Sequence, residues 1–171
     1  MGATLLSFLM ARAGKSAFWL YVLNILLSRT IPFNSPHKFR VIEIDAEKIS
    51  TFAPYRRSNF NHIKGIHACA IATAAEFSAG FLLLTNLDPV QYRLIMSKLD
   101  AEYFYQAKKD IIASAQLSEE RLHKEVLLPL ADREATTIEM KTVVRDVMEN
   151  TVAEVRTTWQ VKRWNRVRTK I

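Results

Sequence analysis

Cysteine is nearly missing from this chain. Cys69 stands alone among 171 residues, so no intramolecular disulfide can form and a secreted disulfide scaffold is excluded. Glycine (4) and proline (5) are scarce as well, and no low-complexity stretch or internal repeat occurs, which confines any disorder to the ends. His37, His62, His67 and His123 are scattered and share no zinc-ligand spacing with the one cysteine. Neither a metal nor another cofactor is called for. There is no GxSxG, no P-loop and no GxGxxG. Thiol catalysis by Cys69 lacks a base beside it in sequence, so a small packed cysteine is the simpler reading.

What remains is the composition of a soluble globular protein, 49% apolar and 24% charged, long enough for one domain spanning 1–171. Residues 1–30 form an N-terminal helical segment and 165–171 a basic tail. Ala17 to Leu27 is strongly apolar and follows Arg12 and Lys15, imitating a signal peptide. No small-residue cleavage site follows it. As a helix it spans roughly 16 Å, about half a bilayer core, so stable insertion is not expected and the cytoplasm is the expected compartment. A packed helix is the simpler reading and peripheral membrane contact the other. Net charge is +7. Six basic residues and no acidic one lie between Val155 and Ile171, which suits a solvated strand edge with a frayed tail, or a surface for an anionic ligand. Nucleic acid is not the expected partner.

Periodicity orders the elements. Residues 1–28 read as helix, broken near Gly14, and Ile31 to Phe39 as a loop. Phe39 to Ala53 alternates as one strand or two with a bend near Asp45 to Lys48. Pro54 to Gly65 is a polar loop. Leu99 to Leu117 reads as one long strand. Ser118 opens a helix or connection that Pro129 ends. Thr136 to Met148 and Val152 to Trp164 are strands joined by a turn at Glu149–Asn150–Thr151. The second of these alternates cleanly, with Ala153, Val155, Thr157, Trp159 and Val161 on one face.

The segment His67 to Thr85, HACAIATAAEFSAGFLLLT, favours helix through its alanines and leucines. Small residues occupy almost every face and Glu76 is its one charge. A helix apolar all round is buried all round, and a curved antiparallel sheet is its natural container. The result is an α+β fold with a helix held inside a sheet. A carboxylate inside such a helix loses hydration, which raises its pKa or demands a partner. His67 falls at the helix start, where free N–H groups point outward. Those of Ala68 and Cys69 could form an oxyanion hole, with His67 capping or assisting. Asn61, six residues earlier, serves a turn or holds substrate.

The run NHIKGIHACAIATAAEFSAG resembles the core motif of PaaI-type hotdog thioesterases, through Asn61, Gly65, His67 and Glu76 at the family's spacings of six and nine. It is more similar still to a hotdog branch known only as a domain of unknown function, which shares the apolar N-terminal helix, the proline-containing loop and the PYRRSNFNH run. The resemblance implies a hotdog fold, with a long central helix wrapped by a curved antiparallel sheet and an extra N-terminal helix. It implies a homodimer or dimer of dimers, with Glu76 of one chain facing Asn61 and His67 of another. It implies hydrolysis of acyl-CoA or a related thioester, the carbonyl resting on the N–H of Ala68 while Glu76 activates water or attacks. The family's Gly-Gly is Ala68–Cys69 here, whose side chains narrow the space for the thioester. Gly65 and Cys69 would border the substrate, and Arg56 and Arg57 would meet CoA phosphates. Where some members place a Ser or Thr near the carboxylate, this chain has Ser97, Lys98 and Asp100; Lys98 beside Glu76 would keep it ionised. The alternatives are a non-catalytic hotdog protein that binds acyl chains or assembles, and an acyl-CoA hydratase or dehydratase.

Overall fold

A computed structural model describes residues 3–167, with side chains from residue 8 onward. Two helices come first, α1 (Ala3–Ala13) and α2 (Ala17–Thr30). They part at Gly14, where a Cβ would lie 2.6 Å from the Ile44 carbonyl oxygen. That contact lets α1 approach the sheet where a larger residue could not. Strands β1 (Arg40–Ile44) and β2 (Lys48–Ala53) are a hairpin. Its bend is built by Asp45, whose Oδ1 accepts the N–H groups of Glu47 and Lys48. The long helix α3 (Ala68–Asn86) follows, then β3 (Tyr92–Tyr103), β4 (Ile111–Gln116), a short helical passage, β5 (Ala135–Asp146) and β6 (Thr151–Arg163).

The six strands of the described residues form one antiparallel sheet in the order β1-β2-β4-β5-β6-β3. Five of them, β2 to β6, pack against α3, which is the wrapped-helix architecture of the hotdog fold. Two buried hydroxyls tie the helix to the sheet. Ser78 Oγ, fully buried, lies 2.9 Å from Ala113 O and 2.8 Å from Thr51 Oγ1, within hydrogen-bond distance of both strands. Thr142 on β5 donates to Ala75 O (3.3 Å). Because both hydroxyls are satisfied, their burial carries no desolvation penalty. The Asp146–Asn150 turn closes the β5–β6 hairpin, with Glu149 at φ 64°.

Several expectations change. The stretch Leu99 to Leu117 is not one strand. β3 starts at Tyr92 and pairs with β6, while β4 pairs with β2 and β5 on the far side of the sheet. The residues between, Phe104 to Asp110, carry the chain across. Pro129 does not end the helix after Ser118 but opens its final turn: α4 (Glu119–Leu122) runs through a wider π turn at His123–Leu127 into α5 (Pro129–Asp132). Pro129 has no N–H to give the Glu125 carbonyl one turn back, and the Thr136 hydroxyl donates to that carbonyl instead (3.2 Å). β6 lies inside the sheet, so Arg156, Lys162 and Arg163 stand on or beyond an interior strand and not on an edge. In the basic tail, Arg166 is exposed, and Arg168 and Lys170 lie outside the described residues.

Candidate active site

α3 departs from all-round burial along one stripe. Ala70, Ile71, Ala74, Ala75 and Phe77 through Leu83 are buried, whereas Cys69 is exposed and Ala72, Thr73 and Glu76 are half-buried. These four residues recur at the three- and four-residue spacing of one helix face and line an apolar groove of about 460 Å³. Phe81, Leu84, Leu94, Leu99 and Trp159 complete most of its wall. Among the described residues Glu76 is the one charged residue lining it, and burial raises its carboxyl above the ordinary range. Among the described residues Glu76 has no ion-pair partner. Lys98 does not supply one: it is exposed on β3 and pairs with Asp100 at 2.5 Å. A bulge between Met96 and Lys98 sets this part of β3 out of simple alternation.

The other half of the expected site lies at the N-terminus of α3. His67 caps the helix, its Nδ1 accepting the N–H of Cys69 at 3.1 Å, and the N–H groups of Ala70 and Ile71 turn back to His67 O. That leaves Ala68, exposed, whose N–H has no acceptor among the described residues. The Cys69 amide is thus already engaged and only that of Ala68 is open to a ligand. Asn61 builds the loop before the helix, its Oδ1 accepting from Gly65 N (2.9 Å) and Ile63 N (3.1 Å). Gly65 is buried against Gln106, whose side chain would lie 3.0 Å from an added Cβ. Asn61, Ala68 and Tyr103 border a second hollow of about 310 Å³. Arg56 and Arg57 are exposed at the start of the 3-10 turn Arg57–Asn59, on the approach to this loop.

Within one chain the two halves do not meet. Glu76 is eight residues beyond Ala68, roughly 12 Å along the helix axis, and the two residues line different hollows.

A family model described as a domain of unknown function, DUF4442, matches residues 21–161. The chain belongs to the DUF4442 family. No curated protein matches it. Among solved structures, the DUF4442 chain is similar to a probable thioesterase of unknown function from Pseudomonas aeruginosa, with 24% identity and a TM-score of 0.76, covering 82% of this chain and 93% of that one. It is similar to a thioesterase from Haemophilus influenzae at 15% identity and TM-score 0.66 (87% and 94% covered). A mutant thioesterase from Staphylococcus aureus matches at 11% and 0.63 (77% and 98%). At these identities the likeness establishes the fold.

Two residues of this DUF4442 site went unread in the sequence. Asn59, 1% exposed, donates through Nδ2 to His37 O (3.0 Å) and Pro54 O (2.9 Å). Its Oδ1 lies 2.9 Å from His37 Nδ1 and its own carbonyl accepts the N–H of His67. It therefore sets where α3 begins. Nothing in the run SNFN separates it from Asn61 except burial. Tyr103, at the end of β3, donates to Ala68 O at 3.0 Å. Burial first, and Cys69 second, hold its phenol above the ordinary range.

Proposed function

We propose that this protein hydrolyses acyl thioesters, acyl-CoA among them, as a homodimer or dimer of dimers with Glu76 as the reacting carboxylate. The observation that carries the reading is the unpaired, half-buried Glu76 set in an apolar groove. A structural carboxylate would be expected to have a cation or donor facing it. A general base benefits from the opposite arrangement, since desolvation moves its pKa toward the operating pH.

In this mechanism the thioester carbonyl rests on the Ala68 N–H. Glu76 takes a proton from water as the water oxygen adds to the carbonyl carbon; the amide holds the tetrahedral oxyanion, the C–S bond breaks, and the thiolate leaves with the proton that Glu76 held. In the alternative route Glu76 itself adds, the C–S bond breaks to give an acyl-glutamyl anhydride and a thiolate that takes its proton from solvent, and water then cleaves the anhydride to the free acid and the regenerated carboxylate. Arg56 and Arg57 would meet the CoA phosphates, and Gly65 and Cys69 would border the thioester. Because Glu76 and Ala68 are far apart in one chain, the complete site takes its amide from a second copy. The exposed edge of β3, with Ile95 45% and Met96 37% accessible, is the strand through which we expect the copies to pair. An exposed edge strand offers its unpaired N–H and C=O groups to a second copy.

Release of free thiol from a panel of acyl-CoA substrates tests the reading, with wild type compared to Glu76→Gln. Hydrolysis by wild type that the variant loses by about 100-fold or more supports Glu76 as base. Equal rates remove Glu76 from the mechanism. Acyl-CoA binding with no thiol release by wild type favours instead a non-catalytic acyl carrier built on the same groove.

A further inference from the structure

The N-terminal helices carry a surface that the thioester site does not use. The first 42 residues contain five cations, Arg12, Lys15, Arg29, Lys38 and Arg40, and no carboxylate. Five of the chain's seven net positive charges thus sit in this stretch. All five side chains are exposed, and among the described residues none has a carboxylate partner. The first acidic residue, Glu43, is already occupied by Lys48 at 2.7 Å.

Aromatic side chains stand among these cations. Phe18 and Tyr21 are 65% and 64% exposed. They lie one turn apart on the face of α2 opposite Leu23 and Leu27, which pack into the core. Phe18 meets Trp19 edge-on at 5.5 Å, and Trp19 meets the exposed Phe8 of α1 at 5.8 Å. The Arg12 guanidinium rests 4.4 Å from the centre of the Phe8 ring. Beyond Tyr21 a groove of about 490 Å³ opens between α2 and β1, bordered by Ile25, Lys38 and Arg40.

We propose that this face docks on the surface of a bilayer containing anionic phospholipid. Aromatic rings at headgroup depth with unpaired cations around them are the chemistry of interfacial attachment, and each basic side chain gains from the negative surface potential. α2 has 14 residues and is too short to span, so it would lie in the interface plane. The face borders β1, the edge strand at the opposite end of the strand order from β3. Asn34 and Phe77 border both this groove and the Glu76 groove, which puts docked lipid next to the space where an acyl chain would enter. The proposal holds whether or not Glu76 reacts.

Flotation of the full chain tests it, with vesicles of phosphatidylcholine alone and of phosphatidylcholine mixed with phosphatidylglycerol. Wild type should float with the mixed vesicles, not with the neutral ones, and be released by salt. Phe18→Ser with Tyr21→Ser, and separately Arg12→Glu with Lys15→Glu, should each lower the bound fraction roughly ten-fold while melting like wild type. Wild type left unbound at low salt overturns the proposal, as does flotation that neither pair of substitutions changes. So does a wild-type oligomer that Phe18→Ser with Tyr21→Ser dissociates while no vesicle retains it, since a second copy then covers this face. The salt and lipid dependence of wild type decides the matter even if a variant fails to fold.

Discussion

Ala68 is the first residue of α3, and this allows its amide to be deleted alone. Proline at a first helical position loses no helical hydrogen bond. His67, at φ −63° and ψ 138°, already has the backbone that a residue before proline prefers. Ala68→Pro should therefore fold normally and lower kcat for thioester hydrolysis by roughly 10²- to 10³-fold, the usual effect of losing one oxyanion donor. A variant with unchanged kcat places the oxyanion elsewhere. Glu76 gives a second test through pH. Its carboxyl is raised by burial, so the folded state holds the proton that the unfolded chain releases. Stability then falls as pH rises from the unfolded carboxyl's range through the folded one. Glu76→Gln should melt closest to wild type in acid and gain on it toward neutral pH, while the wild-type rate climbs over the same interval. A melting difference that does not change with pH would contradict this. Glu76 was legible in the sequence because one charge in an oily helix is conspicuous. Asn59 was not, because its importance comes from His37 and Pro54, which the fold brings to it.

At the scale of elements, α3 was the easiest to read, since its composition fixes both its helicity and its burial. The stripe from Cys69 to Glu76 was harder, because a row of small residues does not reveal which side the sheet leaves open. Gly80 closes the same wall. A Cβ there would stand 2.5 Å from the Trp159 ring, and Trp159 is itself held by donation from Nε1 to Thr157 Oγ1. Gly80→Ala gains about 1 kcal/mol in helix propensity and loses roughly 1–3 kcal/mol to overpacking. The ring is large and tethered, so the loss wins. A fall in Tm of about 2–4 °C per net kcal/mol is expected for a chain of this size. A higher Tm would mean that Trp159 yields easily. The run from Leu99 to Leu117 misled for a related reason. Its crossing segment, Phe104 to Asp110, contains no glycine or proline, so no local signal marks the point where β3 ends. The break exists because β3 has its partner in β6 and β4 has its partners in β2 and β5, a choice made by pairing across the sheet.

For the whole molecule, strand order decides which surfaces face outward, and it is the least local property of the chain. β3 and β1 are the two free edges, and they divide the proposed roles: association through one, lipid contact beside the other. A twofold pairing of β3 edges would make the interface self-complementary, each copy giving its partner what it takes. Two active sites then arise per dimer, each with Glu76 from one copy and the Ala68 amide from the other. Glu76→Gln and Ala68→Pro each disable both sites of their own homodimer. In a heterodimer of the two, both lesions fall in one site and the other is intact. With a different tag on each chain, the purified heterodimer should recover about half of the wild-type specific activity. If each site is instead built within one chain, every site of the heterodimer carries one lesion and activity stays at the level of the parents. The roughly 12 Å between Glu76 and Ala68 along one rigid helix makes that second outcome hard to reconcile with the mechanism, because a single thioester carbon must reach both.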